Sequence, residues 1–387
     1  MTEETKLSTE SYKGVRDFYP EDQAIQNYIF GIWRKTVESF GYEEYNSSIL
    51  EPSELYKQKS GEEIVNEQTY TFKDRGDREV TLRPEMTPSV ARMVAAKQHE
   101  LAFPLRWFSI PNLFRYEKPQ KGRLREHWQL NVDMFGVKNT SADAEVISVA
   151  HKILTNFGAK EDDFVIKINS RKIINELYKQ YGLDEEKSYK LSKVIDKKDK
   201  IDKSAFEMAA FEIIGEKTQE FIRLMEANDR LLASFGPENE SVKELVDVLE
   251  KLDKQGIQNV EFDPYLMRGF DYYTGLVFEV FDTNEDNKRS LFGGGRYDDL
   301  LDIFDAEKVP SVGFGVGDVT FRDFLTTHKL LPEIKRPAEV YICTVKSEYI
   351  TDASILADKL RSQGVNVEVD ITDKKLGDQM KLANKKG

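Results

Sequence analysis

The chain has one cysteine, Cys343, among 387 residues. A lone thiol excludes an intramolecular disulfide and a cysteine-cluster zinc site. Cys343 sits in the apolar strand pattern of residues 340–345, so it reads as a plain buried thiol, and a reducing cytoplasm is the expected compartment. Long apolar runs are also missing. None approaches the ~20 residues needed to span a bilayer, and the acidic, polar start Met1-Thr-Glu-Glu-Thr-Lys6 is unlike a secretory or organellar leader. Positive charge is in deficit, with 56 basic against 69 acidic residues and a net charge of −13. This argues against a general nucleic-acid binder. It does not exclude a locally basic groove, because phosphate binding depends on where Lys and Arg sit. Lys118-Pro-Gln-Lys-Gly-Arg-Leu-Arg125 is such a cluster. Internal repeats and low-complexity tracts are absent.

With 40% apolar and 32% charged residues, the chain is expected to be a soluble globular protein of two or three domains. Residues 21–40 carry Ile25, Tyr28, Ile29, Ile32 and Val37 near helical spacing. Extended runs follow at 69–72, 79–82, 105–116 and 127–135, with Asp74-Arg-Gly-Asp77 as a hairpin tip. Adjacent strands on short polar turns favour an antiparallel sheet. Helical spacing returns at 141–157. Residues 183–256, bounded by Gly182 and Gly256, are dense in Glu, Lys and Asp at helical apolar spacing and read as a helical insertion. Strands resume at Val260. After Pro332 and Pro337, a strand, a helix, Gly364, a strand and a further helix imply a parallel α/β piece that stops inside its own pattern.

Chemistry concentrates in four places. Arg268-Gly-Phe-Asp-Tyr-Tyr-Thr-Gly-Leu-Val-Phe-Glu279 puts a cation, a carboxylate and two phenols ahead of a β-rich run. A site holding a polar aromatic ligand beside a phosphate has use for all of them, and a core strand for none. Phe292-Gly-Gly-Gly-Arg-Tyr-Asp-Asp-Leu300 adds glycines that allow close backbone approach or positive φ. Phe114-Arg-Tyr-Glu117, a basic loop, and His127-Trp-Gln-Leu-Asn-Val-Asp133 read as two strands with a loop between. There Arg115 can clamp a phosphate with its planar fork, and Glu117 can accept from an exocyclic amine. By itself that segment is equally a surface hairpin with ordinary ion pairs. Thr81-Leu-Arg-Pro-Glu-Met-Thr87 ends a strand and starts a helix. Alone it reads as a capping pair, but its carboxylate also suits an ammonium group.

Together these blocks resemble the signatures of histidyl-tRNA synthetases, members of the class II aminoacyl-tRNA synthetases. The resemblance covers residues 10–387. It implies an α+β fold: an antiparallel sheet core flanked by helices (1–182 and 257–330), a helical insertion (183–256) touching the tRNA acceptor arm, and a C-terminal α/β anticodon-binding domain (331–387) that looks truncated. It further implies activation of histidine by ATP, with magnesium, and transfer to the 3′ end of histidine tRNA by a homodimer. Arg115 and Arg268 would act on the α-phosphate and the reacting carboxylate. Glu117 would meet the adenine amino group, Arg123 the outer phosphates, and His127 would stack where the family has an aromatic. Glu85 and Thr87, assisted by Gln129 and Asp133, would hold the ammonium group. Tyr273 and Tyr297 would line the imidazole pocket, and two phenols suit a neutral ring with one donor and one acceptor nitrogen. Gln120 would read the extra 5′ guanosine of histidine tRNA, and Lys121 its phosphates.

Three departures stand out. Asp133 replaces a frequent glutamate. Thr320 stands where motif 3 carries an arginine, and Arg322 lies about 200° further round a helix. Ser48 replaces the usual proline of motif 1 (residues 41–52), the customary dimer interface. A regulatory, synthetase-like subunit of histidine biosynthesis is the rival reading, opposed by the intact Arg115, Gln120, Arg268 and Tyr273.

Overall fold

The computed structural model describes residues 7–57, 68–120, 122–267, 272–287 and 290–386. Arg268 and Lys121, both singled out above, lie outside the described residues. The strands are β1 (Glu43–Glu44), β2 (Leu50–Pro52), β3 (Tyr70–Lys73), β4 (Glu79–Leu82), β5 (Leu105–Ser109), β6 (Asn112–Phe114) and β7 (Glu126–Phe135). They continue as β8 (Phe164–Ser170), β9 (Val260–Phe262), β10 (Leu276–Asp282), β11 (Ser290–Arg296), β12 (Ser311–Gly317), β13 (Val340–Ile342) and β14 (Val367–Val369).

The main sheet runs β1-β5-β7-β12-β11-β10-β8-β9. Its five inner pairings are antiparallel, as expected. Its outermost pairings, β1 with β5 and β8 with β9, are parallel. The run expected at 105–116 is two strands. Pro111 cannot donate to a ladder, and the chain shifts there, so β5 pairs residues 131–135 of β7 while β6 pairs residues 126–128. A second sheet, β2-β4-β3, carries the hairpin tip, where Asp77 takes φ 58°.

Helices cover the sheet. Pro20–Ser39 buries Ile29, Trp33 and Val37, with Ile25, Tyr28 and Ile32 only half-buried beside them. Trp33 meets Phe321 at 5.3 Å, and Phe321 meets Phe157 at 5.0 Å. This aromatic seam ties the first helix to the end of Ser141–Asn156 and to Asp318–Thr327.

Residues 183–256 are helical, as expected, with Gly182 at φ 72° and Gly256 at φ 81° closing the helices before them. Only glycine takes that conformation without strain. The helix Glu240–Lys254 packs on Ser141–Asn156 and fastens to it through Lys251 to Thr140 at 3.1 Å and Ser148 to Gln255.

Residues 1–330 form one compact unit and residues 331–387 another. The second pairs β13 and β14 in parallel beside helices Ile350–Arg361 and Leu376–Lys386. Inside it, the buried Gln379 amide bonds both the N–H and the C=O of Thr344, at 2.8 and 2.9 Å. No helix of the described residues is long and apolar enough to cross a membrane.

Candidate active site

Side chains alternate along a strand, so Gln129, Asn131 and Asp133 share one face of β7. Glycines stand opposite on β12: Gly313 faces Asp133, Gly315 faces Asn131 and Gly317 faces Gln129. The next strand continues them, with Gly293 facing Gly315 and Gly295 facing Gly313. None of the β11 or β12 glycines needs positive φ; close approach is the reason for them. A Cβ on Gly313 would sit 2.6 Å from Asp133 Oδ1 and 2.7 Å from the Tyr297 hydroxyl, and one on Gly315 would sit 2.2 Å from Gln129 Nε2. The glycines clear a trough into which the polar side chains of β7 fold.

That trough is the floor of a cavity of about 140 Å³. Glu85 and Thr87 close one side. The helix Thr87–Ala96 begins at Thr87 without a side-chain cap, so the capping role that this segment suggests by itself is not the one realised. Tyr272, Tyr273 and Tyr297 form the opposite wall, with ring centroids 4.8 Å apart for the first pair and 5.9 Å for Tyr272 with Tyr297. The Tyr272 hydroxyl donates to Glu85 at 3.5 Å. Tyr273 precedes β10, and Tyr297 follows β11.

Two carboxylates therefore lie in a buried space lined mainly by polar side chains, Glu85 at 3% exposure and Asp133 at 4%. Asp133 Oδ1 accepts from the Tyr297 hydroxyl. Burial pushes the Asp133 carboxyl up to about 7, although that bond pulls it back. Burial and the neighbouring carboxylate raise the Tyr297 phenol well above its ordinary value, so it stays a donor. Such a space is poor for a lone anion and good for a ligand that brings a positive charge.

Arg115, Gln129 and Gly315 line this cavity and also a cleft of about 1230 Å³, so the two spaces adjoin there. Arg115 lies just past β6, not within a strand, and its Nε donates to the Pro84 carbonyl at 2.9 Å. His127 is half-buried. Desolvation first, then the cations of Arg115 and Arg16, lower its imidazole to about 3, so it presents a neutral ring. Glu117 and Arg123, assigned separate tasks by the resemblance, pair with each other at 3.3 Å. Gln120 and Arg123 close a tight tip by exchanging backbone bonds of 3.1 and 2.9 Å across Gly122, which takes φ 77°.

Thr320 lines the cleft and donates to the Leu291 carbonyl at 2.9 Å. Arg322 turns away and pairs with Asp22 of the first helix at 2.7 Å. Arg296, between the glycines and Tyr297, points away from the cavity to a buried pair with Asp143 at 2.5 Å.

The structure adds residues to those read from the sequence. Asn131 lines the small cavity, and the period of two from Gln129 to Asp133 already placed it there. Tyr272 joins Tyr273 because it precedes the strand, where alternation does not apply. Arg171, Asn175 and Lys179 line the cleft at intervals of four on one helix, a pattern that spacing alone does not tell from a solvated face.

The family model for histidyl-tRNA synthetase matches residues 14–317. The chain belongs to that family. A model for an anticodon binding domain matches residues 339–387. The histidine–tRNA ligase of Leptospira biflexa is 44% identical over 390 residues, covering 99% of this chain and 89% of the relative. That of Thermoplasma volcanium is 38% identical, covering 98% and 89%. Among solved structures, apo histidyl-tRNA synthetase of S. aureus superposes with a TM-score of 0.74 at 28% identity, covering 98% of this chain and 90% of that one. A Bacillus halodurans protein described as an ATP phosphoribosyltransferase regulatory subunit/histidyl-tRNA synthetase superposes with a TM-score of 0.78 at 25% identity, covering 94% and 93%. The fold expected from the family, a sheet core with an anticodon domain, is the one found.

Proposed function

We propose that the protein activates histidine with ATP and transfers the histidyl group to the 3′ end of histidine tRNA. The observation that carries this is the adjoining pair of cavities. The small one offers two buried carboxylates and three phenols to an amino acid with an ammonium group and a polar ring. The large one offers a guanidinium and a neutral imidazole to a nucleotide, and Arg115 lies where they meet.

Histidine's ammonium group sits with Glu85 and Thr87, helped by Gln129 and Asp133, and its ring lies between Tyr273 and Tyr297. ATP lies in the cleft with adenine on His127, its amino group at Glu117 and its outer phosphates near Arg123, which parts from Glu117 to reach them. The substrate carboxylate attacks the α-phosphorus and pyrophosphate leaves. A ribose hydroxyl of the tRNA then takes the acyl group and AMP leaves. No covalent enzyme intermediate is required. Positioning, and charge stabilisation by Arg115 and Arg268, supply the rate.

Among the described residues no group of three or more His, Cys, Asp or Glu could hold a metal. A magnesium ion would therefore be held mainly by ATP's own phosphates. In this reading Gln120 recognises the extra guanosine of the tRNA acceptor end, and Lys121 serves its phosphates. The domains divide as 1–182 and 257–330 for the core, 183–256 for the insertion and 331–387 for the anticodon module. A cytoplasmic homodimer pairs through residues 41–52.

Histidine-dependent ATP–pyrophosphate exchange, followed by charging of tRNA with and without the extra guanosine, tests the reading. A regulatory subunit would bind histidine and exchange nothing. The site polar groups and the 44% identity to a histidine–tRNA ligase favour the enzyme.

A further inference from the structure

We propose that Tyr45, with Ser109 beside it, is the positioning residue for the Asp133 carboxylate, donating to it when histidine draws it into its ionised form. This rests on the reading of the small cavity as histidine's.

The two oxygens of Asp133 are in different states. Oδ1 accepts from Tyr297. Oδ2 is buried and has no hydrogen-bond partner among the described residues, and the same holds for Tyr45 Oη and Ser109 Oγ. Buried polar atoms are normally bonded, so three orphans close together call for an explanation. The fold puts them together. Tyr45 follows β1, and its N–H donates to the Phe108 carbonyl at 2.8 Å. Ser109 ends β5 opposite Asn131, two residues from Asp133. The Tyr45 phenol faces both Ser109 and Asp133.

A phenol both donates and accepts. Tyr45 can accept from Ser109 and donate to Oδ2, which closes the set. That bond gains most when the carboxylate is charged, the state that the substrate's cation favours. The other ionisable groups around Asp133 do not take this role. Tyr297 already serves Oδ1. The Tyr42 hydroxyl faces Glu145 and feels Asp133 only as a more distant charge. Glu85 is an anion. Arg115 and Arg83 are engaged by the Pro84 and Asn112 carbonyls, both at 2.9 Å. Tyr45 adds nothing to the cavity lining, so it acts only through Asp133.

The test is histidine-dependent ATP–pyrophosphate exchange across roughly pH 5.5 to 9. In Tyr45→Phe, KM for histidine should rise about tenfold while KM for ATP stays within about twofold. Losing a donor to the ionised form raises an acid's pKa, so the acidic limb of kcat/KM for histidine should move up by about half a pH unit or more. Ser109→Ala should shift both in the same direction by about threefold or less. Asp133→Glu carries its oxygens one bond beyond Tyr45, so adding Tyr45→Phe to it should change KM by less than about twofold. A lowered melting temperature with an unmoved pH profile would assign Tyr45 to core packing and overturn the proposal. An equal penalty in the wild-type and Asp133→Glu backgrounds would do the same. Absence of exchange by the wild-type protein would overturn the histidine reading itself, and the proposal with it.

Discussion

Burial raises Asp133 from 3.8 to about 7. Between those values the folded protein keeps a proton that the unfolded chain releases, so this group favours folding at low pH and loses that contribution as pH rises through the window. Relative to wild type, Asp133→Asn should therefore gain about 4 kcal/mol in unfolding stability between pH 4 and pH 8, seen as a melting-temperature gap that widens with pH. The same variant should raise KM for histidine at least about tenfold, because the substrate cation loses a counter-charge. Equal melting temperatures at both pH values would show that the carboxylate is solvated. His127 behaves in the opposite sense. Its pKa falls from 6.5 to about 3, so its contribution is present above 6.5 and lost as pH falls through that range. His127→Phe should keep KM for ATP within about threefold, and His127→Ala should raise it about fivefold, the worth of one stacked ring. Similar KM values for the two variants would remove His127 from the adenine site.

At the scale of elements, the glycine runs and the motif 3 helix decide most. Gly313→Ala puts a Cβ 2.5 Å from the Val132 carbonyl and 2.6 Å from Asp133 Oδ1. Backbone does not yield cheaply, so this variant should lose about 1–3 kcal/mol of stability and its histidine use should fall more than its ATP use. Equal effects on both substrates would mean that the trough is only packing. The glycines of residues 293–295 were readable as a device, but not which one: positive φ and close approach look alike in a sequence, and only the register with β12 separates them. Helix geometry alone sets Arg322 about 200° from Thr320, and it pairs with Asp22 instead of facing the cleft. Arg322→Ala should leave ATP use unchanged within about twofold and cost less than about 1 kcal/mol, since its pair with Asp22 is partly exposed. A large rise in KM for ATP would return Arg322 to the phosphate site.

For the whole molecule, residues 1–330 and 331–387 are separate compact units, and the proposed function assigns them separate tasks. A chain ending at Leu330 should keep histidine-dependent exchange within about threefold, because a compact unit with its own core can fold alone. It should lose at least about tenfold in tRNA charging if residues 331–387 bind the anticodon arm. Loss of both would mean that the second unit supports the catalytic one. With a net charge of −13 the chain as a whole repels a polyanion, so charging should fall steeply with salt through the few local cations.

The sequence by itself determined the chemistry on offer. Gln129, Asn131 and Asp133 share a face because a strand has a period of two, and Arg115, Glu85, Tyr273 and Tyr297 were visible because core packing has little need of such groups there. Tertiary structure alone decided which of these meet. Tyr297 bonds Asp133 across 164 positions, and Arg16 bonds Asp318 across 302. Nothing in the sequence singles out Tyr45, which lies within residues 41–52, and the parallel edge pairing of β1 brings it behind Asp133. Spacing encodes what lies within a few residues, where backbone geometry repeats. Contacts over hundreds of residues depend on strand order and register, which exist only once the sheet has closed.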